Sequence, residues 1–395
     1  MTTTEESIGS AVGTRALNSY DDWSPLREIV VGSAAAYREH VRDLSFELFF
    51  YDNLTDDNPN RPHGYYPQLT GGTGEPGAPR REAIKQRYVD ELNEDVEGIA
   101  DVLSGMGVTV HRPIALPAQR PGEVRTPAWS APVLPPLNIR DNSLVLGDEV
   151  IETSPMLRSR YFETQLLKPI FMRYFAGGAR WTVMPRPLMT DQSFDLSRTL
   201  GGNTETVSAS RLSPYDVGTE MMIDAAQCLR LGRDLVVNIA TSNHALGCDW
   251  LERHLAGRFR VHRIYNLTDS HIDSCVVPLR PGVLLVRSAQ VMDRLPAALQ
   301  KWTTIVAPEP DASMFPAYDD DDLILTSPFI DLNVLSLDEH TVLINEANPE
   351  LGRLLERHGF STVPVRHRHR RLFGGGLHCF TLDTVRDGAG EDYLM

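Results

Sequence analysis

Three consecutive glycines, Gly374-Gly375-Gly376, lead into Leu377-His378-Cys379 near the end of the chain. Glycine permits backbone conformations closed to other residues and lets a substrate approach the main chain. A cysteine thiolate is the strongest nucleophile among side chains, so this run reads as a nucleophile on display. The plain alternative is a buried thiol behind a glycine-rich turn. Elsewhere, His271 stands two residues before Asp273, a spacing that turns both side chains to one side of a strand. Asp141, Asp224 and Asp273 each open a segment with the same polar entry. Taken singly, each aspartate is equally well read as a turn cap bonded to its own backbone. Gathered in one cleft with Cys379 and His271, they give a nucleophile, a proton shuttle and several carboxylates. The ligand of such a cleft is expected to be cationic. Carboxylates bind a planar guanidinium through paired charge-assisted hydrogen bonds, roughly twice as strong as neutral ones, and a bound cation lowers the pKa of the attacking thiol.

The elements that must position these residues show a repeat. Four segments starting at Asp141, Asp224, Asp273 and Asp331 share one plan: an Asp, a short apolar strand, a tight turn and a second apolar strand. This plan is a β-hairpin. A fifth strand follows Cys379, and helical stretches at 163–175, 245–255 and 349–358 lie between the hairpins. The spacing of the units is irregular, yet the strand starts are expected to gather at one pole, where the repeated aspartates converge. Upstream, residues 26–31 read as a strand closed by Gly32, and 81–105 carry helical apolar spacing. Residues 52–79 are dense in Asn, Asp, Pro and Gly, which suits a lid, a surface excursion or a partly disordered stretch. The aromatic cluster Phe49-Phe50-Tyr51 just before it reads by default as core packing. The expected organisation is a flexible N-terminus over 1–17 and one α/β domain over 18–390.

With 395 residues, 42% of them hydrophobic, the chain can bury a substantial core. A formal charge of -15 works against phosphate-backbone binding as a main task. Cys228, Cys248, Cys275 and Cys379 are too scattered for a disulfide framework or a zinc site. No signal peptide or membrane-length stretch is read, so the expected location is cytoplasmic, with no nucleic acid or membrane partner. Neither a metal nor a cofactor is expected.

With those residues in view, the chain resembles the amidinotransferases, the family of glycine amidinotransferase and the inosamine-phosphate amidinotransferases. The resemblance runs from Trp23-Ser-Pro-Leu-Arg-Glu-Ile-Val-Val-Gly32 through Arg140-Asp141, Ile151-Glu-Thr-Ser-Pro-Met-Leu-Arg-Ser-Arg160 and Glu220-Met-Met-Ile-Asp224. It continues through Asn243-His-Ala-Leu-Gly247 and Ser270-His271-Ile-Asp273 to Gly374-Gly-Gly-Leu-His-Cys379-Phe-Thr-Leu-Asp383. It implies a five-module, pseudo-symmetric α/β propeller. It also implies that Cys379 attacks the guanidino carbon of a donor, normally L-arginine, and holds the amidino group while ornithine leaves. His271 then serves both proton transfers. Asp224 holds the guanidinium and stabilises charge near His271. Asp141 and Asp273 match substrate-binding aspartates, Glu220 a nearby acidic residue, and Thr326 and Ser327 a pair of substrate-contacting serines. Gln290 departs from the pattern, because the family carries there an arginine that meets the donor carboxylate. Arg287, three residues earlier, is the substitute the sequence offers. Ser270 resembles the smaller residue of the aminocyclitol enzymes and leaves room for a larger amine.

The expected partners are therefore a small-molecule guanidino donor and an amine acceptor, with a homodimer as the assembly to test. The basic run His367-Arg-His-Arg-Arg371 reads by default as a solvated face, with an acidic or phosphorylated acceptor as the alternative. Two other functions stay open at this level: a hydrolase in which water resolves the same intermediate, and a non-catalytic guanidino-binding protein.

Overall fold

The computed structural model describes residues 15–38, 40, 43–49, 84–117, 122–198, 214–268, 271–318 and 325–394. The polar segment 52–79, together with Phe50, Tyr51 and Ser270, lies outside the described residues. Strand β1 (Leu26–Val31) is followed by the short helix α1 (Leu44–Phe49), α2 (Gln86–Gly105) and β2 (Thr109–His111). A two-stranded excursion, β3 (Glu123–Arg125) and β4 (Ser130–Pro132), precedes β5 (Ser143–Leu146), β6 (Glu149–Glu152), α3 (Lys168–Ala176) and β7 (Arg180–Val183). Then come β8 (Cys228–Leu231), β9 (Asp234–Ile239), α4 (Ser242–Leu255) and β10 (Arg260–Tyr265). The next unit is β11 (Val276–Arg280), β12 (Val283–Val286) and β13 (Thr303–Val306). The chain ends with β14 (Leu335–Ser336), β15 (Thr341–Asn345), α5 (Pro349–Arg357), β16 (Ser361–Val365), α6 (Arg370–Phe373) and β17 (Thr381–Arg386).

All four hairpins expected from the sequence form, and the strand after Cys379 pairs antiparallel with β1. Among the described residues the result is five three-stranded sheets of one design. In each, an inner strand runs antiparallel to a middle strand, which runs parallel to an outer one. The first sheet joins the two ends of the chain, β17-β1-β2. Gly147 opens the two-residue turn between β5 and β6 at φ 58°, a conformation that suits a tight hairpin.

Side chains alternate across a strand, and here the two faces of single strands feed two different cores. Val145 on β5 and Val150 on β6 pack with Val30, Leu382 and Phe171, whereas Leu144, Leu146 and Ile151 pack with Leu235, Val237 and Leu251. Leu229 and Val236 join Val276, Leu284 and Val286; Leu285 on β12 instead joins Val342 and Ile344. Leu343 on β15 turns the other way, into a cluster with Ile29, Val31 and Leu92 that also contains Cys379. Each sheet therefore shares a core with the next, and the fifth shares one with the first. Every fully buried Leu, Ile or Val contributes about 1.5–3 kcal/mol, so the contacts between sheets hold the fold as much as the ladders do.

The helical readings stand with shifted edges. Residues 163–175 form a 3-10 turn, Glu163–Leu167, that passes into α3. Pro169, at the start of α3, has no N–H to give and a fixed φ suited to a first helical turn. Residues 15–17, grouped by the sequence with a flexible terminus, are partly tied down: Arg15 donates its N–H to Glu28 and Leu17 is buried.

Candidate active site

Each inner strand is preceded by a tight turn, and those turns carry the candidate residues. Asp141 ends the 3-10 turn Ile139–Asp141 before β5, and Asp224 immediately precedes Ala225–Gln227 before β8. His271 precedes Ile272–Ser274 before β11, and Asp273 lies inside that turn. The expectation that His271 and Asp273 share one side of a strand is thus corrected: a 3-10 turn, not a strand, presents them. Cys379 follows the glycine run and stands two places before β17.

The five residues do converge. The donor atoms of Cys379, His271 and Asp141 all lie within 4.8 Å of one another. His271 Nε2 is 3.0 Å from Asp224 Oδ2, and its Nδ1 is 3.5 Å from Asp141 Oδ1. Cys379 Sγ donates to Asp273 Oδ2 at 3.5 Å. None of the aspartates acts as a local cap: Asp224 Oδ1 accepts the N–H of Met156 at 3.2 Å, and Asp141 Oδ2 accepts from Arg160 at 2.6 Å. Asp141 Oδ1 and Asp273 Oδ1 are buried and accept no hydrogen bond.

Cys379 is only 5% exposed, which corrects the reading of a nucleophile on display. The glycines serve a different purpose from solvent exposure. A Cβ on Gly376 would sit 2.5 Å from Asn333 Cβ, and one on Gly375 would sit 2.3 Å from Asn138 Oδ1. Their absence lets the chain close onto those two asparagines.

Burial and charge together set the protonation states. Burial opposes the charged form of His271, but Asp141, Asp224 and Asp273 prevail and raise it to about 9, so it is an imidazolium at neutral pH. Burial pushes the Cys379 thiol well above its usual range, and Asp273 and Asp141 push it further. Asp224 and Asp273 are also penalised by burial, yet His271 holds the first down, and His378 with His271 the second. Asp141 is raised, chiefly by burial. A protonated acid thus faces a neutral thiol inside a ring of carboxylates, and a cation placed among them favours the thiolate. A planar guanidinium is one cation that such carboxylates bind.

Three residues of the site, Asn333, His378 and Arg160, were given no role from the sequence, and a fourth, Phe49, was read as core packing. Asn333 accepts the N–H of Cys379 on its side-chain oxygen, and His378 Nδ1 lies 2.8 Å from Asp273 Oδ2. Arg160, buried between Asp141 and Glu163, neutralises part of the acidic cluster. Phe49, at the end of α1, stands edge-on to His271 with ring centroids 5.5 Å apart. Asp331, expected to converge with the other aspartates, does not: its carboxylate bonds Arg370, Asn345 and Asn348. Aligning the repeat on its strand starts finds the right residue, since Asn333, like Asp141 and Cys379, stands two places before its inner strand.

The remaining candidates lie around this centre. Arg287, half-buried, directly follows β12 and donates its N–H to Cys275 at 2.8 Å, opposite the turn that holds Asp273. Gln290 is exposed. The Glu220 carboxylate is used by the N–H groups of Leu188 and Met189 and by Ser193. Thr326 is buried with an unbonded hydroxyl, and Ser327 caps the turn Pro328–Leu332 that leads to Asn333. The basic run is not a solvated face. Arg368 and His369 bind Asp95 and Glu91 of α2, Arg370 binds Asp331, and His367 bonds the carbonyl of Gly375.

No family model matches the chain. It is 33% identical to inosamine-phosphate amidinotransferase 1 of Streptomyces glaucescens over 95% of this chain and 98% of that protein. The chain belongs to the amidinotransferase family. It is an enzyme that transfers amidino groups. The L-arginine:L-lysine amidinotransferase of Pseudomonas savastanoi pv. phaseolicola is 29% identical over 98% of this chain and 99% of its own length. Among solved structures, the inosamine-phosphate amidinotransferase STRB1 of Streptomyces griseus matches with a TM-score of 0.77 and 30% identity. That match covers 96% of this amidinotransferase and all of the solved chain (100%). No described helix is long and apolar enough to cross a membrane.

Proposed function

We propose that this amidinotransferase takes its amidino group from L-arginine and passes it to an amine acceptor in specialised-metabolite biosynthesis, an aminocyclitol or another larger amine. Binding of the cationic donor among the carboxylates favours release of the Cys379 S–H proton to solvent; the thiolate attacks the guanidino carbon, and the bond from that carbon to the ornithine nitrogen breaks as His271 gives that nitrogen a proton. The amidino group stays on sulfur. The acceptor amine then attacks the same carbon and gives a proton back to His271, and the carbon–sulfur bond breaks to return the thiolate. Asp224 keeps His271 charged and aimed. Asp141 and Asp273 receive the guanidinium, with Arg287 at the donor carboxylate and Gln290, Glu220, Thr326 and Ser327 around the substrates.

The observation that carries this reading is the grouping of Cys379, His271 and Asp141 within 4.8 Å, with the buried Asp273 Oδ1 accepting no hydrogen bond and Asp141 Oδ1 meeting only the His271 charge at 3.5 Å. An arginine donor is supported by the name of the Pseudomonas relative, and a larger amine by the inosamine-phosphate enzymes. The circuit of shared cores supports reading the five sheets as a five-module propeller, and the pairing of β1 with β17 supports one domain over 18–390.

Intact-mass analysis after exposure to arginine tests the intermediate: the adduct is expected on Cys379, and Cys379→Ala loses it with all turnover. Labelled arginine with candidate amines then identifies the acceptor by product mass. Citrulline as the sole product, or an adduct on another cysteine, overturns the assignment.

A further inference from the structure

Behind the reacting groups lies a second histidine that the reaction above does not use. His378 is 6% exposed, and both ends of its ring meet carboxylates: Nδ1 is 2.8 Å from Asp273 Oδ2 and Nε2 is 3.5 Å from Asp22 Oδ1. Its backbone is held as firmly. The N–H donates to Asn333 O at 3.2 Å, and the carbonyl accepts from Arg140 Nε at 2.9 Å and Thr381 Oγ1 at 3.2 Å. Asp22 is fixed in turn by Arg230 and Arg140, which also bind Asp383. Asp273 is faced by Cys379, His378 and the Asn333 side chain directly and by the charges of His271 and Asp141. An ionised carboxylate only accepts, so the hydrogen between His378 and Asp273 belongs to Nδ1. One oxygen, Asp273 Oδ2, therefore accepts from both His378 and the Cys379 thiol.

We propose that His378 is a positioning residue that sets the state of the nucleophile: its Nδ1–H occupies Asp273 Oδ2, weakens that oxygen's hold on the thiol hydrogen, and leaves Oδ1 turned toward the guanidino group. The role given to Oδ1 rests on the function proposed above; the effect on the thiol does not. A carboxylate oxygen stripped of the His378 bond is a stronger acceptor for S–H, which disfavours the thiolate. The pinning of Asp273 is what a merely space-filling residue at this position does not supply.

Alkylation of Cys379 by iodoacetamide at pH 8, followed by peptide mass mapping, needs no donor and reads this directly. His378→Leu keeps bulk but removes the donor, and is expected to slow alkylation of Cys379 about fivefold or more. His378→Asn places an amide N–H near the position of Nδ1 and is expected to stay within about twofold of the native rate. A native or faster rate in His378→Leu overturns the proposal, as does equal slowing in both variants. Should His378→Leu fail to fold, His378→Asn decides alone: a rate within about twofold supports the role, and fivefold slowing overturns it. Failure to transfer an amidino group from arginine would sink the proposed donor while leaving these rates as they are, so the two readings fail separately.

Discussion

The side-chain oxygen of Asn333 accepts the peptide N–H of Cys379 at 2.8 Å, tying the turn before β14 to the turn before β17. Gly376 makes this approach feasible, because a Cβ there would press on Asn333 Cβ at 2.5 Å and on its carbonyl oxygen at 2.9 Å. Gly376→Ala should destabilise the protein by about 1–3 kcal/mol through overpacking, and lower turnover by moving Cys379. Asn333→Ala should cost about 1–3 kcal/mol for the buried N–H left unpaired. Urea unfolding and kcat measure both, and native stability with native turnover in Gly376→Ala would show that the close approach is not needed.

His271 makes the protein's pH response predictable in sign. Its pKa is raised from 6.5 to about 9, so its contribution to stability is full below about pH 6.5 and is lost as pH rises through 9. The stability gap between the native protein and His271→Gln should be larger at pH 6 than at pH 9.5. Turnover should fall on an alkaline limb near pH 9 as the acid is lost. Both His271→Ala and Asp224→Asn should lower kcat by a factor on the order of a hundred or more. A stability gap that does not shrink with pH would remove the imidazolium from the account.

The proposed role of Arg287 at the donor carboxylate rests on its place beside the Asp273 turn, where its N–H bonds Cys275, while Gln290 is exposed. Loss of a charge-assisted pair costs roughly 1.5–3 kcal/mol, so Arg287→Ala should raise the KM for arginine about 10- to 150-fold. Agmatine, which has no carboxylate, should be little affected. Equal losses for both donors would mean that Arg287 reads no carboxylate.

Phe49 packs edge-on against the His271 ring, with centroids 5.5 Å apart. Aromatic pairs of this geometry contribute about 0.5–1.5 kcal/mol, so Phe49→Ala should lower kcat roughly two- to tenfold, with Phe49→Leu intermediate. Unchanged kcat in Phe49→Ala would reduce the contact to packing.

How much of this protein was legible in its chain can be judged from particular residues. Hairpins were readable because strand, turn and strand are contiguous, and apolar alternation with Gly147 between two short runs leaves little choice. Cys379, His271, Asp224, Asp141 and Asp273 were readable because chemistry restricts which side chains can serve, and because motif order resembles a known family. Other features depended on distance in sequence. Asp331 and Asn333 are equally polar and two places apart; only the packing of α6 decides that Arg370 claims the first and the Cys379 turn the second. The basic run looked like solvent-facing charge until α2, remote in sequence, supplied Asp95 and Glu91. Burial of Cys379 and the raised His271 likewise arise where five turns meet, since desolvation and charge act through space, and a sequence records neighbours along the chain only.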